Sequence, residues 1–151
     1  MDRIDRHILK LLQQDGRLTT AEIAEQVGLS PSPCARRLKR LESEQVIIGY
    51  QANLDRQKLN LGMTVFVNVR LSHHQEDVIG EFEQAVLEMR EVISCHIVSG
   101  AHDYLLEVVS QDLVNYEQFI RKLQTLPMVK DINTNLAIRS VKTHSPLPFG
   151  E

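Results

Sequence analysis

The apolar residues of this chain change period part-way along, and that change limits the fold more than any other feature. Ile4, Ile8, Leu11 and Leu12, then Ile23, Ala24 and Val27, then Cys34, Leu38 and Leu41 recur at the spacing of one helix face. From Met63 the period becomes two, in Met63-Thr64-Val65-Phe66-Val67-Asn68-Val69-Arg70-Leu71, and strand-like and helix-like stretches then alternate. Neither a helical bundle nor an all-β sheet carries both periods. The order predicts an α+β chain with an all-α first part and a mixed second part.

In the first part a helix is predicted over about Asp2 to Gln14, ended by Asp15-Gly16. Thr19-Thr20-Ala21-Glu22 reads as a capping box, Thr19 accepting from the Glu22 N–H and Glu22 reaching back. Gly28 suits the left-handed position that closes the short second helix, and Leu29 plugs the turn. Ser30-Pro31 or Ser32-Pro33 opens a third helix, because serine caps and proline is tolerated in a first turn. Val46-Ile47-Ile48 is expected as a short β segment. Two short helices joined by Gly28-Leu29-Ser30, with another before them, make a helix-turn-helix, here of winged type with short β.

The second part reads as β-α-β-β-α-β. One helix is placed at Asp77 to Met89, with Val78, Ile79, Phe82, Val86 and Met89 on one side. The other runs from an Asp112 cap to about Gln124, with Tyr116, Phe119, Ile120 and Leu123 inward. The later strands are Val92 to Ser99, Tyr104 to Val109 and Val129 to Val141, with Gly100-Ala101-His102-Asp103 as the turn between the first two. This is the split βαβ, ferredoxin-like order. Its helices cover one sheet face; the other is expected to be apolar and to need a partner, which makes a dimer the default. The expected divisions are 1–52 for the helix-turn-helix, 53–61 for a linker and 62–151 for the ferredoxin-like domain. The tail Ser145-Pro146-Leu147-Pro148-Phe149 is expected to be extended.

Charge locates a function. The net charge of −3 argues against a uniformly basic nucleic-acid binder, but residues 1–50 hold eight Lys/Arg against seven Asp/Glu while 51–151 hold nine against thirteen. Ser30 to Leu41 contains Arg36, Arg37, Lys39 and Arg40 and no acid, as a small DNA reader does. On helix-turn-helix geometry the third helix, about 31–43, enters the major groove. Ser32, Pro33 and Arg36 are then candidates for base contact, and Arg37, Lys39 and Arg40 for base or backbone. Ser30 joins this DNA-binding set at the helix start, as a cap more than a reader.

Other classes find little support. No apolar run reaches the roughly 18 residues of a membrane span, and Met1 to Arg6 has no apolar leader segment. Cys34 and Cys95 are far apart and read as reduced thiols, Cys34 as a packing residue. His73 and His74 point in different directions and lack a companion carboxylate at ligand spacing, so no metal site is expected. With no P-loop, GxGxxG, HExxH or GxSxG motif, no cofactor, catalytic residue or enzyme activity is expected.

Taken together, the sequence resembles the Lrp/AsnC family, the leucine-responsive or feast/famine regulators. The resemblance is carried by Ile4-Asp5 with Ile8-Leu9, Asp15-Gly16-Arg17, Gly28-Leu29-Ser30-Pro31-Ser32-Pro33-Cys34, and Arg37-Leu38 with Leu41-Glu42. In the second part it is carried by Cys95-His96-Ile97-Val98-Ser99-Gly100 and Asp103-Tyr104-Leu105-Leu106. It spans nearly the whole chain in order and is nearer the leucine-responsive branch than the asparagine-linked one. It implies a cytoplasmic, nucleoid-associated transcriptional regulator of double-stranded DNA, with a ferredoxin-like effector domain, called RAM. It also implies homodimers assembling into octamers, and an amino-acid effector such as leucine or methionine held between dimers. Carried onto this sequence, the effector site is Ile97, Ser99, Gly100, Ala101, His102, Asp103 and Leu113, with Thr134, Asn135 and Leu136. Gly100 would let a ligand approach the backbone. Asp103 would pair with an α-ammonium, and free amides would hold the α-carboxylate. The position of His102 is often aromatic in the family, so the effector's identity stays open. Two other functions stay open at this level: an architectural DNA binder without effector, and a ferredoxin-like small-molecule protein or enzyme whose N-terminal helices only dimerise.

Overall fold

Helix α1 (Arg3–Gln14) starts from a reciprocal cap: Asp2 Oδ1 accepts the Asp5 N–H at 2.9 Å, and Asp5 Oδ2 accepts the Asp2 N–H at 3.0 Å. Aspartate stands where such boxes usually have Glu or Gln. Helix α2 (Thr20–Val27) opens on the expected Thr19–Glu22 box and closes on Gly28 at φ 70°, ψ 36°. A residue with a Cβ is strained there by roughly 1–2 kcal/mol. Helix α3 (Pro31–Ser43) has Ser30 as N-cap and Pro31 in its first turn, which decides between the two possible starts. Ile8, Ile23, Ala24, Cys34 and Leu41 form the core of these three helices.

The strand expected at Val46-Ile47-Ile48 does not form. The Val46 and Ile47 N–H groups both donate to the Leu41 carbonyl, at 2.9 and 3.1 Å, and close the end of α3 instead. Ile48 is 93% exposed, with no strand beside it among the described residues, which are 1–149.

The second unit contains β1 (Met63–Leu71), α4 (Glu76–Leu87), β2 (Val92–Ile97), β3 (Tyr104–Ser110), α5 (Leu113–Gln124) and β4 (Val129–Leu136). Its sheet has the order β2-β3-β1-β4 with every pair antiparallel, the ferredoxin-like arrangement. β4 stops at Leu136 rather than at Val141 because its neighbour β1 runs out: Leu136 lies opposite Val65, and Ala137 makes a last bond to the Thr64 carbonyl. Val65, Val67, Val69 and Leu71 alternate inward and pack with Leu106, Val108, Phe82, Val86, Phe119 and Leu123.

The other sheet face is not the apolar surface expected. Cross-strand neighbours share a face. It therefore carries Thr64, Phe66, Asn68 and Arg70 of β1 beside Asn135, Asn133 and Asp131 of β4 and Val109, Glu107 and Leu105 of β3. Across these three strands hydratable side chains dominate, and of the residues named Phe66, Leu105 and Val109 are the apolar ones. Arg56 bonds there to Thr64 Oγ1 and to Glu107 Oε1, both at 3.0 Å. The segment 53–61 is thus anchored at Arg56 rather than being a free linker.

The chain divides between Asn53 and Leu54, and the stretch from Val141 groups with the first unit rather than with 62–140. The Gln13 side-chain amide explains that return: it accepts the Leu147 N–H at 2.6 Å and donates to the Leu147 carbonyl at 3.4 Å. No helix among the described residues is long and apolar enough to cross a membrane.

Candidate functional site

Helical rotation of about 100° per residue sorts α3 into two sides. Ser32, Ala35, Arg36, Lys39 and Ser43 share one side and are all exposed; Cys34 and Leu41 are buried on the other. Arg37 falls toward the buried side and Arg40 between the two. Both are held by acids more than thirty residues earlier. Arg37 Nη1 donates to Asp2 Oδ2 at 2.6 Å and to Asp5 Oδ1 at 2.8 Å, and Arg40 Nη2 donates to Asp5 Oδ2 at 2.6 Å. Arg37 and Arg40, expected to contact base or backbone, brace α3 against α1. Arg36 and Lys39 keep their charges on the open side. Pro33 is half-buried, and the Ser30 hydroxyl makes no capping bond.

The brace perturbs both acids and Arg37. The Asp5 N–H and the Arg37 guanidinium hold the Asp2 carboxyl down at about 2. Burial pushes the Asp5 carboxyl up, but the Asp2 N–H and Arg37 outweigh it and leave it below the ordinary carboxylate range. The hydrogen bonds to Asp2 and Asp5 push the Arg37 guanidinium up.

In the second unit, the turn between β2 and β3 is fastened to the end of β1. Asp103 N–H donates to the Val69 carbonyl at 2.9 Å, Asp103 Oδ2 accepts the Leu71 N–H at 2.7 Å, and Asp103 Oδ1 meets His74 Nε2 at 2.9 Å. Arg70 Nε donates to the Ala101 carbonyl at 2.8 Å, and its Nη2 donates to the same oxygen. Gly100 sits at φ 118°, which a side chain rarely allows. Burial pushes the Asp103 carboxyl up, but the Leu71 N–H and His74 outweigh it. Asp103, expected to meet an α-ammonium, thus has both oxygens engaged within the chain. The backbone N–H groups of Ser99, Gly100, Ala101 and His102 have no internal acceptor among the described residues. His102 Nε2 lies 3.9 Å from Asp131 Oδ2.

One chain does not bring all the expected ligand residues together. Tyr104, at the turn, lies opposite Val69, whereas Thr134, Asn135 and Leu136 lie opposite Val67, Phe66 and Val65. Leu113 follows the far end of β3, where Ser110 faces Met63. From Val69 to Val65 is about 13 Å along a strand. Ile97 and the turn therefore form one group, and Leu113 with Leu136 another, with these three side chains 74%, 68% and 57% exposed.

Asp2, Asp5, Arg70 and His74 escaped the sequence reading. The i, i+3 acids beside a predicted helix start were a usable signal for the first two; nothing local marks the others.

The Lrp/AsnC ligand binding domain model matches residues 64–147, and a winged helix-turn-helix DNA-binding model matches residues 1–48. The chain belongs to the Lrp/AsnC family. This Lrp/AsnC chain is 38% identical over 150 residues to the DNA-binding transcriptional activator DecR of Escherichia coli K12, covering 99% of each. It is 40% identical over 148 residues to the leucine-responsive regulatory protein of the same strain, covering 97% of this chain and 90% of that one. Among solved structures, a Neisseria meningitidis transcriptional regulator in complex with L-Met matches with TM-score 0.93 and 36% identity, over 98% of this chain and 96% of that one. The chain is a transcriptional regulator with a helix-turn-helix DNA-binding domain and an Lrp/AsnC ligand-binding domain, and its α+β fold is the one the sequence led us to expect.

Proposed function

We propose that this regulator reads double-stranded DNA with the open side of α3, through Ser32, Arg36 and Lys39, and that an α-amino acid controls it from the β2–β3 turn. The sorting of α3 carries the first half. Two of its four basic residues are consumed by Asp2 and Asp5, so the charge left for DNA lies on one side. Ser30 and Pro33 lie at the end of α3 that leads into the groove. The four open amides from Ser99 to His102 suit a carboxylate. Ile97 with the turn from one copy, and Leu113, Thr134, Asn135 and Leu136 from another, would enclose the effector, which fits assembly as dimers and octamers inside the cell. The L-Met complex of the meningococcal relative supports an effector of this class.

The test is fluorescence anisotropy of the full chain on its own upstream DNA, with each amino acid in turn, beside sedimentation velocity. We expect one amino acid to shift affinity and assembly together, by no more than its differential affinity for the two states. Specific binding that no amino acid alters would overturn the effector half and favour an architectural role. Equal binding to scrambled DNA at low salt, where phosphate attraction is strongest, would overturn the reading side.

A further inference from the structure

Helix α1 has two faces of opposite charge. Its acids, Asp2 and Asp5, are engaged by Arg37 and Arg40 of α3. Arg3, His7 and Lys10 recur at i, i+4 and i+7 and so form one line along the exposed surface, away from the buried Asp5 and Ile8. With Arg6 they border a groove of about 800 Å³ whose remaining lining is Ile4 and Val27, so no acidic side chain lines it.

The location of this line follows from the brace. Because Arg37 and Arg40 reach Asp2 and Asp5, the first turn of α1 lies along α3, and Arg3 stands in that turn about 100° round from Asp2. Arg3 to Lys10 spans about 10 Å of helix axis. A DNA strand places a phosphate about every 3.4 Å along its axis, so the line is about three phosphate steps long. We propose that Arg3 and Lys10 bind DNA backbone phosphates flanking the groove that α3 enters. This second contact is independent of base sequence and fixes the height and angle of α3. It rests on α3 being the reading helix.

The test compares the full chain with its Arg3→Gln, Lys10→Gln double variant on two duplexes of equal length, the protein's own upstream DNA and a scrambled copy. Each lost phosphate contact removes about 0.9 from the slope of log affinity against log salt. The double variant should thus lose about 1.8 of slope and about 60-fold in affinity at 0.1 M salt, a loss that closes toward 1 M. Both duplexes should lose the same factor. The Arg3→Lys, Lys10→Arg variant should keep the slope, as should Lys122→Gln on α5. Melting curves check that the first unit stays folded. An unchanged slope, a loss confined to the upstream duplex, or an equal loss in Lys122→Gln would overturn the proposal. Failure of the α3 reading is separable: Arg36→Ala would then leave the preference for upstream DNA intact whatever the slope does.

Discussion

Replacing Asp5 by alanine should melt the helix-turn-helix early and strengthen its non-specific hold on DNA at the same time. Asp5 is 1% exposed, and its two oxygens take the Asp2 N–H, Arg37 Nη1 and Arg40 Nη2. Asp2 still caps the N–H at position 5, so only the reciprocal bond from the Asp2 N–H is lost from the box, which costs about 0.5–1.5 kcal/mol. Losing charge-assisted bonds to a buried carboxylate costs about 1.5–3 kcal/mol more for each. Two effects work against that total: alanine carries no desolvation penalty, and both arginines keep a path to water. The balance is about 2–4 kcal/mol, toward the lower side of what breaking a buried ion pair costs. In a small domain this is on the order of 10–20 °C in Tm. Far-UV circular dichroism of the full chain measures the melt. Anisotropy on scrambled DNA at 10 °C, where the variant remains folded, measures the second effect. Release of Arg40 from Asp5, and loss of one of Arg37's two carboxylate partners, should raise affinity there and steepen its salt dependence. A variant that melts with the parent, or binds scrambled DNA more weakly while folded, would refute the brace.

Arg36→Ala should lose roughly 5- to 150-fold of the preference for upstream over scrambled DNA, the equivalent of about 1–3 kcal/mol of base discrimination. Its melting should not change, and equal losses on both duplexes would reduce Arg36 to a phosphate contact. Acid should unfold the first unit first. Asp2, held at about 2 against an ordinary 3.8, and Asp5, also lowered, bind protons more tightly when unfolded, so their stabilisation is complete above about pH 4 and is lost as pH falls toward 2. Helical signal and urea midpoint unchanged between pH 5 and pH 2 would contradict this. Leu106→Ala, at a fully buried β3 position, should cost about 2–5 kcal/mol in urea unfolding of the second unit, and a loss below 1 would mean a loosely packed sheet. Asp103→Ala should release the turn from Leu71 and His74 and abolish amino-acid dependence while DNA binding alone persists. Equal loss of both responses, read by anisotropy, would point to damaged assembly.

The fold was legible where local chemistry decides it. Period, caps and turn residues place α1, α2, α3 and all four strands, because the Thr19–Glu22 box, Gly28 and the alternation of Val65, Val67, Val69 and Leu71 act within a few residues. Boundaries that depend on a distant neighbour were not legible. β4 ends where β1 ends, and Val46-Ile47-Ile48 has β-branched content but no strand to pair with among the described residues. The polar sheet face was missed for the same reason: strand periodicity marks inward positions, but which of Thr64, Phe66, Asn68 and Arg70 meet polar neighbours depends on register. In the candidate site, the charge of α3 was visible and its allocation was not. Arg36 and Arg37 are adjacent in sequence; helical phase turns them apart, and the position of Asp2 and Asp5 in space gives Arg37 its partners.

That separation has a mechanical consequence. A reading helix must be held at a fixed angle while presenting charge, and a guanidinium paired with a carboxylate presents less of it. Here α3 divides the tasks by helical phase: Arg37 and Arg40 fix its long axis to α1, and Arg36 and Lys39 stand on the open side. The β2–β3 turn repeats this economy. Asp103 and Arg70 spend their charges holding the backbone from Ala101 to Asp103 against β1. On the proposed reading these bonds hold the amides of Ser99 to His102 in place, and a ligand there would gain from donors that need little further ordering. An effector ammonium can then share Asp103 with Leu71 and His74, because each carboxylate oxygen takes a second donor, as Asp5 Oδ2 does from Asp2 and Arg40.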